Sequence, residues 1–387
     1  MTKKISVLAI IFAFISVFLL FNNNTYSVNA DSLTDSVNEQ LENIDLSQIE
    51  DYFNNLQIKP QINYIDYLSN LLKGEYSLDF NLMLNGFLQI FFNQVFASLP
   101  IFLSIIAITI FCSITQSFKN TFLSQSVSDL IFFICFISVI LMLFSEIVFI
   151  YENTKKTIEN ISKLIEIMSP IMLTLIIASG GTVSASIYKP TIVFLSSGVV
   201  NIFLNLILPL VSIMMAFSVV SNFSSSIKLN KFIDCASSII KWVIGLTVTI
   251  FGLFITINGI SSANHDGISI RATKYAITNS IPIVGGFIKD SFDFILAGSV
   301  LIKNAIGITS VLILFFTILS PIISIAVFSL LIKFTSAITE NIGDVRISNF
   351  CTSMSKCISY LCACIVMVSF MFFIMVVLMI LTGNTIF

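Results

Sequence analysis

Met168–Pro190 reads MSPIMLTLIIASGGTVSASIYKP. Its first half is as greasy as a membrane span. Yet Ala178, Ser179, Gly180, Gly181, Ser184, Ala185 and Ser186 then crowd into nine positions. Small residues let helix backbones approach closely. A Gly-Gly pair also lets a helix unwind, which a bilayer tolerates only where the backbone is buried in protein or lines a water-filled cavity. The stretch is therefore either a close-packed helix contact or a broken, re-entrant element beside a pathway. Both readings place it in a membrane.

The rest of the chain agrees. Of 387 residues, 56% are hydrophobic and only 10% are charged, and the mean hydropathy is +0.99. A soluble domain carries about 25% charge, so the expected fold class is an all-α polytopic membrane protein. The net charge of -2 conceals an uneven distribution: residues 31–80 hold ten acids and two lysines, residues 81–387 eleven acids and fifteen bases. That pattern does not suggest a nucleic-acid binder, and the expected division of the chain is 1–30, 31–85 and 86–387.

Residues 1–30 carry Lys3 and Lys4, an apolar run from Ile5 to Phe21 and a polar stretch ending Val28-Asn29-Ala30. This is the pattern of a secretory signal peptide cut after Ala30, in preference to an uncleaved anchor. Either form puts Asp31 onward outside the cytoplasm. In 31–85, Leu33, Val37, Leu41, Ile44 and Phe53 recur at helical spacing with acids between them. Pro60 breaks that helix, and a second short one ends at Gly74. Two such helices bury little on their own, so they are expected to pack on the membrane body or on a partner. Their acids form either a docking surface or a solvated face.

From residue 86 onward, apolar segments of spanning length fall at 93–117, 128–151, 169–188, 191–221, 239–261, 295–319, 321–339 and 357–382. The expectation is six to eight spans. The segment 191–221 is long and carries Pro209, so it is kinked or divided. Three amphipathic stretches lie between these segments: 152–169, with Ile158, Ile161, Ile165 and Met168 on one face, 226–242, and 344–357. Such helices commonly lie in the interface plane. The loop from Lys228 to Lys241 is the most basic and suits a cytoplasmic side. With the N-terminus outside, that requires 169–221 to contribute an odd number of crossings.

Enzyme templates are missing. His265 is the one histidine, and H-E-x-x-H, G-x-S-x-G and Walker A patterns are absent. Gly180-Gly181 lacks the following Lys-Ser/Thr of a phosphate loop. Cys362 and Cys364 have no second pair or neighbouring histidine, so the seven cysteines read as small buried residues and not as metal ligands. No catalytic residue, cofactor or metal is expected, and any ATP would be used by a separate subunit.

Polar intrusions are more informative. In the run Gly259–Ser291, His265-Asp266-Gly267 reads as a turn, followed by a short helix with Arg271 and Lys274 on one face, stopped before Pro282. Gly285-Gly286 supplies a second glycine pair. Asp290, Asp293, Lys303 and Asn304 then enter an apolar run, where a charge is a functional candidate by default. Lys303 either reaches inward or snorkels from a span end. Asn201 and Asn205 share a helix face and serve helix–helix hydrogen bonding or line a pore, and Glu146 is a further intrusion. The candidate pathway or packing residues are Gly180, Gly181, Ser184, Pro190, Asp266, Gly267, Arg271, Lys274, Gly285, Gly286, Asp290, Asp293, Lys303 and Asn304.

Two stretches, Met168–Pro190 and DGISIRATKYAITNSIPIVGGFIKDSFDFILAGSVLIKNAIGI from Asp266, resemble the stage III sporulation protein AE family of endospore-forming Firmicutes. The order of signal peptide, polar region and polytopic body ending in LTGN also fits. The matching motif positions add Tyr275, Pro282 and Gly307 to the candidates above. The resemblance implies a membrane component of the mother-cell-to-forespore channel, similar to a bacterial secretion system. It implies partners from the same operon, namely a secretion-type ATPase and ring-forming membrane proteins, and a forespore-side partner. The implied location is the mother-cell membrane around the engulfed forespore, with support of late forespore gene expression as the role. The family has no established catalytic residues to transfer. Two rival functions stay open: a self-contained permease using the paired Gly-Gly interruptions as half-helices, and a non-conducting scaffold that recruits an ATPase.

Overall fold

The structure of the protein, a computed structural model, describes residues 46–54, 68, 80–117, 125–223, 229–280, 285–342 and 345–382. At 80–84, 116–117, 125, 258–274, 276–280 and 285–292 it describes the backbone only. The signal-peptide reading of 1–30 and most of the acidic 31–85 region lie outside the described residues.

Within them the elements are helical. A short α1 (Ser47–Asn54) precedes α2 (Phe80–Ser117) and α3 (Gln125–Ala178). Next come α4 (Thr182–Val193) and α5 (Leu208–Phe223). They are joined without a break through π-helical turns at Phe194–Val199 and Phe203–Ile207 and a short α-helical join between them. The body ends with α6 (Asn230–Ser280), α7 (Gly285–Ile342) and α8 (Val345–Leu381). Six of these helical runs are long and apolar enough to cross a bilayer, and the protein is a polytopic helical membrane protein.

The count of six, within the expected range, arises from fusion. Segments 295–319 and 321–339 are one 58-residue helix that runs through Pro321. Most of it is buried by neighbouring helices, the setting in which a membrane helix tolerates an internal proline. Segment 169–188 is not a span; it straddles the turn between α3 and α4. The three amphipathic stretches are not separate interfacial helices. Residues 152–169 lie inside α3, and the other two open α6 and α8. No proline or glycine interrupts 152–169, so the backbone ladder continues through its polar residues. His265-Asp266-Gly267 is likewise helical and not a turn, and Gly285-Gly286 begins a helix instead of breaking one.

Two long antiparallel hairpins organise the bundle. In the first, Ser162 donates to the Ser196 carbonyl at 3.0 Å, and the Phe136 and Phe223 rings lie 6.0 Å apart, so α3 pairs with α4 and α5 along their length. In the second, Ser329 meets Ser355 at 3.1 Å and Ser336 meets Thr352 at 2.6 Å, which ties α7 to α8. Hydroxyl pairs between small residues suit helix contacts in lipid, where apolar burial gives no drive. The α7–α8 hairpin is the centre of the molecule; α2 and α3 pack on one side of it, α5 and α6 elsewhere. At 1.5 Å per residue, α3 is about 80 Å long, more than twice a ~30 Å hydrocarbon core.

Candidate functional site

The Gly180-Gly181 pair forms a sharp turn. The Gly181 N–H donates to the Ile176 carbonyl at 2.8 Å, and the Gly180 N–H to that of Ile177 at 2.9 Å. This double closure is a Schellman motif, whose left-handed residue favours glycine. Gly180 has φ 89. α4 begins immediately, with Gly181 as its N-cap. The pair therefore ends one helix and reverses the chain, and the antiparallel α3–α4 arms carry it as a hairpin.

The buried face of α4 reaches a second feature. Ser184 and Tyr188 are buried one turn apart, and the Tyr188 hydroxyl lies 2.8 Å from Oγ1 of Thr382. Thr382 follows the last residue of α8, and its carbonyl accepts a hydrogen bond from Nζ of Lys303. Lys303 is 0% exposed, so it does not snorkel to water. An ammonium at a helix C-terminus meets the negative end of the helix dipole, which is the electrostatic reason that a cation is held here. Close by, Gly307 of α7 leaves no room for a side chain: an added Cβ would stand 2.3 Å from Ile380 Cγ1 and 3.4 Å from Met172 Cε. α3, α4, α7 and α8 thus converge at one end of the bundle around a glycine turn, a glycine crossing and a buried lysine.

Of the candidates named from sequence, this junction unites Gly180, Gly181, Ser184 and Lys303. Asn304 adjoins it, and its side-chain oxygen is buried without a hydrogen-bond partner among the described residues. Pro190 is exposed on α4 and Asp293 is half-buried near the start of α7. Asp266, Gly267, Arg271 and Lys274 fall on the last turns of α6, and Gly285, Gly286 and Asp290 on the first turns of α7, all with side chains outside the described ones. Asn201 and Asn205 bond to each other at 3.2 Å on an exposed face. Sequence reasoning missed Tyr188 and Thr382. Thr382 lies in the LTGN stretch already noticed, and Tyr188 stands two residues before Pro190.

Among the described residues no three His, Cys, Asp or Glu side chains gather as metal ligands. The cysteines described are free thiols, and all but Cys235 and Cys362 are buried. The junction offers positioning and helix locking.

Fold and junction together define an all-helical, multi-span membrane protein whose long hairpins are tied at one end by a buried cation. The sequence profile of the family described as Stage III sporulation protein AE matches residues 62–383, and the chain belongs to that family. It is 28% identical over 317 residues to "Stage III sporulation protein AE" of Bacillus subtilis (strain 168), which covers 82% of this chain and 79% of the relative. No solved structure matches.

Proposed function

We propose that the protein is a membrane subunit of the mother-cell-to-forespore channel, a secretion-like complex that maintains the engulfed forespore and supports its late gene expression. It acts in the mother-cell membrane around the forespore, without catalysis of its own. Its partners are the secretion-type ATPase and ring-forming proteins of the same operon and a forespore-side protein. Beyond family membership, the observation that supports this reading is length. An α3 of about 80 Å reaches far past a bilayer, as a subunit that meets partners in an intermembrane space must.

We also propose an orientation. The signal-peptide pattern puts the N-terminus outside. α2 and the first half of α3 then cross twice, and α4–α5 cross once more, which returns the chain to the cytoplasm at Lys228. The odd crossing that the basic loop required is supplied by the glycine turn.

Deletion of the gene, followed by heat-resistant spore counts and imaging of engulfed forespores, tests the function. Few spores and small, collapsing forespores with vegetative growth intact are expected; normal spores would reject the reading. A Lys303→Met variant, with its protein level measured, tests the junction. The substitution takes a donor from the Thr382 carbonyl, at a cost of about 1–3 kcal/mol, so the amount of the variant in the membrane is measured beside spore yield. Spore yield should fall by more than the loss of protein accounts for; a fall in proportion to the protein level would mean that Lys303 serves folding alone.

A further inference from the structure

At one height the bundle shows two kinds of surface. Between residues 130 and 149 the exposed side chains of α3, among them Leu130, Ile134, Leu141 and Phe144, are apolar apart from Ser145. That is about 30 Å of helix, one hydrocarbon core. α5 ends level with this belt, since Phe223 reaches Phe133 and Phe136, and it exposes Pro209, Ile213, Ala216 and Val220. These faces meet lipid.

α8 stands at the same height. The Phe350 and Phe136 rings lie 5.4 Å apart, and Tyr360 is about 15 Å further along α8. Over that length α8 exposes Asn349, Thr352, Lys356 and Ser359, which share a face by their spacing of three and four residues. Two neighbours bracket the strip. Ser355 and Thr352 meet Ser329 and Ser336 of α7, and the Tyr360 hydroxyl lies 2.5 Å from Ser237 of α6. Around the helix, Lys356 is about 40° from Tyr360 and about 100° from Ser355, on the arc between them.

Both neighbours turn polar residues to this gap. On α6, Lys231, Asp234, Ser238 and Lys241 are exposed on the open side of Ser237. The apolar Phe232, Ile239 and Leu246 lie further round, towards α5, where Phe232 packs on Phe217. On α7 the exposed residues next round from Ser329 and Ser336 are Lys333 and Glu340, with Leu330 and Phe334 beyond them. α8 is thus the floor of a groove with α6 and α7 as walls. It carries lysines from all three helices against Asp234 and Glu340, at the height where α3 and α5 expose only an apolar belt.

Charges at such a height are costly in hydrocarbon and face protein or water. We propose that this groove is filled with water inside the bilayer and admits small hydrophilic anions from the end of the bundle at the α7–α8 turn. The excess of lysine over acid, set between low-dielectric walls, selects the sign of what enters. The groove is made within one chain, so the inference does not depend on the channel reading.

The test uses the full chain in bacterial membranes, in a Cys235→Ser background. The membranes are opened, and rates of reaction with an anionic and a cationic methanethiosulfonate are measured. Ser238→Cys and Ser359→Cys remove hydroxyls that bond to carbonyls of their own helices. Both should react with the anionic reagent about tenfold faster than Ile239→Cys on α6 or Leu141→Cys on α3, because a thiol facing lipid stays protonated. Corrected for each reagent's rate with a free thiol, the anionic one should be favoured in the groove, and Lys241→Gln with Lys356→Gln should remove that preference. The buried Cys112, Cys351 and Cys364 report folding, since they react only once the chain is unfolded. In folded protein, equal rates on the two faces of α6 would overturn the proposal, and so would a preference for the cationic reagent.

Discussion

At the residue scale, three positions do unlike jobs at one end of the bundle. Gly180 supplies a backbone conformation, with φ 89, that an L side chain enters at a cost of about 1–2 kcal/mol. Gly180→Ala should destabilise the protein by that amount, read as a lower thermal midpoint in detergent, whereas Gly181, at φ -86, carries no such backbone cost. Gly307 supplies space. Gly307→Ala pushes a methyl against the stiff, β-branched Ile380, for about 1–3 kcal/mol of overpacking. Ile380→Ala in the same chain should recover much of it, and a double-mutant cycle on unfolding midpoints reads the coupling; additive losses would mean the crossing is looser than the distances require. Lys303 supplies charge, and its ammonium donates to the carbonyl that follows α8. That arrangement was only half legible in the sequence. A lysine in an apolar run announces itself, but a carbonyl at a helix terminus has no sequence signature beyond the point where the helix stops.

At the element scale, α1 shows how an acidic strip is anchored. Ile49 and Phe53 are buried, and Tyr52 bonds Asn160 and lies 3.4 Å from Thr317. Burial pushes the Tyr52 phenol above its ordinary value, against a smaller lowering from the Thr317 bond. The folded state therefore prefers the neutral phenol. The stability this group carries is complete below the unfolded pKa near 10 and is lost as pH rises through the folded value. Tyr52→Phe should cost about 0.5–1.5 kcal/mol at neutral pH and flatten the fall of the thermal midpoint above about pH 10; an unchanged alkaline slope would mean that Tyr52 ionises as freely as in the unfolded chain. The helix faces were legible here because period 3.6 decides them: Ile158, Ile161 and Ile165 are buried as their spacing requires. The helix ends were not. Hydropathy marks where a chain is oily, and backbone hydrogen bonding alone decides whether a polar stretch such as 152–166 interrupts a helix. Pro209 illustrates the converse. It stands just after the π turn at Phe203–Ile207, whose wider loop gives room to a ring that would press on the carbonyl four residues back.

At the scale of the whole molecule, the hairpins fix which ends share a side of the membrane. The antiparallel pairing of α3 with α4–α5, and of α7 with α8, places the Gly180 turn and Thr382 at one end of the bundle and the start of α8 at the other. If the N-terminus lies outside, the glycine end is extracytoplasmic and the α7–α8 tip is cytoplasmic. Thr182 and Glu340 are exposed near these two ends. In a Cys235→Ser background, a charged, impermeant thiol reagent added to intact protoplasts should label Thr182→Cys at once. It should reach Glu340→Cys only after the membrane is opened. The reverse pattern would invert the bundle and place the buried Lys303 at the cytoplasmic end. Labelling of both cysteines from outside would mean that the 54 residues of α3 do not cross as one helix.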